Sequence, residues 1–68
     1  MQHKVNQFLG EKSGQNLRAE IYSEENGYTI KYFINETLQN TKKFEGKPIN
    51  FVEDEAKTWI AMISVLNG

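Results

Sequence analysis

Residues 27–35 read GYTIKYFIN, and the reading of this stretch decides the fold. Tyr28, Ile30, Tyr32 and Ile34 fall on one face of an extended chain, and Thr29, Lys31 and Phe33 on the other. A period of two, with large apolar side chains on one side, is the pattern of a strand half-buried in an antiparallel sheet. Phe33 breaks the pattern, because it stands beside a lysine on the face that alternation assigns to water.

Upstream, Leu17, Ala19 and Ile21 alternate with Arg18, Glu20 and Tyr22, which predicts a preceding strand with the same division of faces. The SEENG between them ends in Asn26-Gly27, a pair that favours a hairpin. Downstream, Asn35-Glu36 suits a second tight turn, since Asn tolerates positive φ. TLQNTKKF (37–44) predicts a third strand with Leu38 and Phe44 directed inward. Its lysines mark it as an edge that discourages further pairing.

Gly46-Lys47-Pro48 closes the sheet region, and Asn50 is placed to cap a helix with Glu53 three residues on. Val52, Ala56, Trp59, Ile60, Ile63 and Leu66 lie within an arc of about 120° at helical spacing, which predicts a helix over 51–66. Phe51, Met62 and Val65 form a second apolar strip beside that arc. Either it wraps into the core with Phe8 and Leu9, or it is exposed as an oligomer interface. After Met1, residues up to 16 hold only Val5, Phe8 and Leu9 as large apolar side chains, and GEKSGQN (10–16) is rich in breakers. An irregular or short helical N-terminal segment is expected there. The fold expected is a single α+β domain: a three-stranded antiparallel β-meander over 17–45, packed on one face by a C-terminal amphipathic α-helix.

A chain of 68 residues with 38% hydrophobic and 25% charged residues is one small domain rather than a disordered segment. Domains this small often need a disulfide, a metal or a partner subunit. There is no cysteine, which excludes disulfides and thiolate ligands, and oligomerisation is the staple left open. The net charge of -1 lacks the basic excess of a dedicated nucleic-acid binder. MQHKVNQFLG has no long apolar run, so neither a signal peptide nor a membrane span is expected, and an intracellular location follows.

No catalytic constellation emerges. Glu53-Asp54-Glu55 could do acid–base work or hold a divalent cation, but carboxylates in a first helical turn are also what the helix dipole favours. His3 is a lone terminal histidine, and the glycines have no phosphate-cradling spacing. Neither an enzyme nor a cofactor is expected. The outer sheet face is richer: Arg18, Tyr22, Lys31, Phe33 and Lys43 interleave cations with aromatic rings. Such a face suits plain solvated surface, a protein interface, or a nucleic-acid platform on which cations meet phosphates and rings meet bases.

Phe44, Ala56 and Trp59, set in the order strand, tight turn, strand, strand, helix over Leu17–Ile63, give the chain a family likeness. It resembles the arm-site DNA-binding domain of phage tyrosine recombinases, and it is similar to plant ethylene-response-type DNA-binding domains and to small uncharacterised tailed-phage proteins of the same layout. The resemblance implies a sheet docked in the DNA major groove, with Arg18, Lys31, Phe33 and Lys43 as the contacting residues. The residues themselves favour a small accessory module that self-associates or docks on a protein partner. Nucleic-acid binding by the outer sheet face is the alternative.

Overall fold

A computed structural model describes the backbone of residues 2–66 and the side chains of residues 2–63. The strands are β1 (His3–Lys12), β2 (Gln15–Glu24), β3 (Gly27–Ile34) and β4 (Thr37–Glu45), followed by helix α1 (Ile49–Leu66). They form one antiparallel sheet in the order β1-β2-β3-β4, with the helix against one face. The α+β class and the C-terminal helix are as expected, but the sheet has four strands rather than three.

The additional strand is the segment expected to be irregular or helical. Its inward positions are Asn6, Phe8 and Gly10, opposite Ile21, Ala19 and Leu17. Polar, aromatic and absent side chains in succession leave no apolar alternation to read. Gly10 is small for a reason: a Cβ there would lie 2.6 Å from Ile60 Cγ2 of the helix. The breaker-rich run contributes only a two-residue turn, Ser13-Gly14, both at positive φ (51° and 83°). Such paired positive angles match the twist of a hairpin. Asn35-Glu36 turns the same way, at φ 51° and 68°. Between β2 and β3 the turn residues are Glu25 and Asn26, and Gly27 already belongs to β3, where a Cβ would lie 2.1 Å from the Phe44 carbonyl oxygen.

Leu17, Ala19, Ile21, Ile30, Tyr32 and Phe44 from the sheet and Val52 and Ala56 from the helix are buried. Phe8, Tyr28, Ile49, Trp59 and Ile60 are partly buried and close over them. The ring centroids of Trp59 and Tyr32 lie 4.7 Å apart at a tilt of 41°. Trp59 is therefore the rim of the core rather than its centre.

The helix begins at Ile49, two residues earlier than expected, and its first bonds run to Pro48. The Pro48 carbonyl accepts from Phe51 N (3.1 Å) and Val52 N (3.3 Å), so Asn50 lies inside the first turn instead of capping it. Glu53-Asp54-Glu55 correspondingly lie beyond the first turn. Glu53 makes no capping box; its carboxylate accepts from Asn6 Nδ2 at 3.0 Å and ties the helix to β1. Among the described residues no helix is long and apolar enough to cross a membrane, and no three His, Cys, Asp or Glu side chains converge as metal ligands.

Candidate binding surface

The sheet leaves one face open, and strand register arranges it in rows that cross all four strands. One row is Leu9, Arg18, Phe33, Leu38. The next is Gln7, Glu20, Lys31, Thr41, and the third is Lys4, Tyr22, Thr29, Lys43. Arg18, Tyr22, Lys31, Phe33 and Lys43, the residues nominated from the alternation, thus share one surface.

Two members of the apolar row were not foreseen there. Leu38 was expected to point inward, and a bulge overturns that: Tyr32 pairs with Asn40 but Phe33 pairs with Leu38, so Gln39 has no partner. The extra residue flips everything before it to the other face. Leu38 stands 51% exposed next to Phe33, and Leu9, reaching the face from β1, is 67% exposed. A second bulge at Val5 resets β1 so that Lys4 also reaches the open face, opposite Tyr22.

Glu20 is the centre of the face and is buried within it. Tyr22 Oη donates to its Oε1 at 2.6 Å, and Lys4 Nζ to its Oε2 at 3.3 Å. Arg18 Nε lies 2.8 Å from Oε2, an ion pair without the alignment of a hydrogen bond. Burial pushes the Glu20 carboxyl up, but the Tyr22 and Lys4 hydrogen bonds and the Lys4 and Arg18 charges outweigh it, and the net effect is downward. The Tyr22 hydroxyl is shifted up, first by its bond to Glu20 and then by burial. Arg18 Nη1 also reaches Glu36 in the β3–β4 turn, and that bond leads in raising its guanidinium further above neutrality.

Two of the cations that alternation offered to phosphate, Arg18 and Lys31, are thus engaged within the face. The Arg18 guanidinium carbon sits 4.4 Å above the Phe33 ring centroid, and Lys31 Nζ sits 4.7 Å above that of Tyr22. Glu11, Glu20, Glu24 and Glu45 lie on the same face by register, with Glu36 at its rim. Lys4, Arg18, Lys31 and Lys43 therefore share the surface with a comparable number of carboxylates.

Two residues of the second apolar strip, Phe51 and Met62, fall among the described side chains, and both are exposed. Phe51, 40% exposed, covers Phe44 edge to face, with ring centroids 6.0 Å apart. Met62, 53% exposed, stands at the mouth of a groove between the helix and β4, lined by Tyr32, Asn40, Lys42, Glu55 and Trp59. The Val65 side chain lies outside the described residues. Comparison of the chain with protein-family models, with curated proteins and with solved structures found no match.

Proposed function

We propose that the protein is a small non-enzymatic interaction module that docks on protein through the open face of its sheet. The observation that carries this reading is the in-register row Leu9, Arg18, Phe33, Leu38, which sets three apolar side chains about one arginine across the width of the sheet. Exposed apolar side chains gathered in one place are characteristic of interfaces, and an arginine stacked on a ring is typical of their centres. The charge around the row is balanced, so a polyanion approaching it meets carboxylates as often as cations. That favours a protein partner over nucleic acid, whose affinity rests on unopposed cations.

Titration of labelled single- and double-stranded DNA at low ionic strength, beside sedimentation of the protein alone, separates the two partners. The expected outcome is no DNA binding, with any association abolished by Lys31→Glu combined with Phe33→Ala. DNA binding that weakens steeply with salt and disappears in that variant, with the sedimenting mass unchanged, would overturn the protein-docking reading.

A further inference from the structure

We infer that the occupant of the open face is a second copy of this chain, packed sheet to sheet about a two-fold axis that runs parallel to the strands between β2 and β3. This rests on the reading of that face as a protein-docking surface, and adds to it the partner and the geometry.

The rows carry the inference. A rotation about such an axis lays β1 over the partner's β4 and β2 over the partner's β3. In the first row Leu9 then meets the partner's Leu38, and Arg18 meets the partner's Phe33. Arg18 already stacks on its own Phe33 at 4.4 Å, so the contact made across the axis is one the chain itself shows to be favourable. In the second row Gln7 meets the partner's Thr41, and Glu20 meets the partner's Lys31. In the third, Tyr22 lies over the position of the partner's Thr29, which is buried in its own chain, and the like pair Lys4 and Lys43 falls at the rim, where water screens it. The other in-plane axis, across the strands along the first row, sets Arg18 on Arg18 at the centre. The first choice makes the surface complementary to itself, which is what a closed two-fold interface requires.

Relief agrees with chemistry. A shallow depression bounded by Gln7, Leu9, Arg18 and Glu20 lies on the β1–β2 half of the face. Phe33 and Leu38 stand on the β3–β4 half, so the rotation brings the partner's apolar pair over the depression. An axis along the strands also preserves strand alignment, as in sandwiches whose sheets pack within about 30°.

The area suffices. Four strands at about 4.8 Å spacing and about 30 Å length present about 600 Å² of flat projection per copy. Two copies remove about 1,200 Å², the lower end of the range of stable specific interfaces. Of the central charges, Glu20 already holds Tyr22, Lys4 and Arg18, and the axis brings Lys31 of each copy to Glu20 of the other.

Cysteine pairs test the geometry directly, since the chain has no cysteine of its own. Residues 9 and 38 lie on opposite edge strands, about 14 Å apart within one chain, beyond disulfide reach. Across the proposed axis they face each other, and facing sheets can carry an inter-sheet disulfide. The wild-type protein is expected to sediment as a dimer, with Leu9→Glu and Leu38→Glu each halving the mass. The variant carrying both Leu9→Cys and Leu38→Cys is expected to close into a covalent dimer with oxidised glutathione, while each single variant stays non-covalent. A monomer at every concentration would overturn the inference. A dimer dissociated by Leu9→Glu, but linked by Leu9→Cys alone, overturns the axis and leaves the docking face standing. A dimer indifferent to both glutamate variants moves the contact off this face and overturns both readings.

Discussion

Glu20 shows how one side chain makes an open sheet face tolerable to bury. Left alone, a carboxyl so enclosed would prefer its neutral form, since burial is the largest single influence on it. Tyr22, Lys4 and Arg18 reverse that preference, and the net shift is downward. A carboxyl held below its unfolded value near about 4.3 adds stability above that pH. The contribution disappears as pH falls through the folded value. Glu20→Gln keeps the shape and removes the charge, leaving Lys4 without its partner and Arg18 with Glu36 alone. Urea unfolding across a pH series should find the variant about 1–2 kcal/mol less stable near neutrality. The two curves should converge in acid, because the wild type loses there what the variant never had. Parallel curves over the whole acid limb would mean that Glu20 is not held ionised by these neighbours.

At the scale of the element, β1 is joined to the helix at three points: Asn6 bonded to Glu53, Phe8 against the core, and Gly10 under Ile60. The last is a steric lock. Gly10→Ala gains a strand backbone of lower unfolded entropy, worth about 0.5–1 kcal/mol, but drives a methyl into Ile60 Cγ2. Overpacking of that kind costs about 1–3 kcal/mol, so a net loss is expected. Ile60→Leu has no Cγ2 branch at Cβ, and combining it with Gly10→Ala should recover part of the loss in a double-mutant cycle on thermal or urea unfolding. Additive losses would place the strain elsewhere. The same lock explains why β1 was hidden. β2 and β3 announce themselves because Leu17, Ala19 and Ile21, and Tyr28, Ile30, Tyr32 and Ile34, keep an apolar alternation, whereas β1 fills its inward positions with Asn6, Phe8 and Gly10, sized to the helix above them. Only the contact partner explains those choices, and a single chain read in order does not display it. Leu38 was misplaced for a related reason, since a bulge at Gln39 is a property of the pairing with β3. The open face was legible in Arg18, Tyr22, Lys31, Phe33 and Lys43. That Arg18 and Lys31 lie over its rings, and Lys4 and Arg18 on its carboxylate, depends on cross-strand neighbours that alternation alone does not specify.

For the whole molecule, the fourth strand is expected to decide whether the chain folds at all. A three-stranded meander with a helix is complete on paper, and residues 15–68 contain all of it. In the folded protein, however, β2 is interior to the sheet, with Leu17, Ala19 and Ile21 buried between β1, β3 and the helix. Removing residues 1–14 turns β2 into an edge with a full row of unpaired backbone groups. It also removes Phe8 from the core margin and the Asn6 bond from Glu53. Phe8 alone is worth about 1.5–3 kcal/mol of burial. A domain of this size has a total stability of only about 3–10 kcal/mol, with no disulfide to limit the unfolded state. The truncated chain is therefore expected to lose cooperative unfolding and near-ultraviolet signal from Trp59, and to aggregate through its new edge. Circular dichroism and thermal unfolding of the 15–68 chain beside the full chain make the comparison. Cooperative unfolding of the short chain would show that three strands and the helix suffice, and that β1 is a cover rather than a structural member.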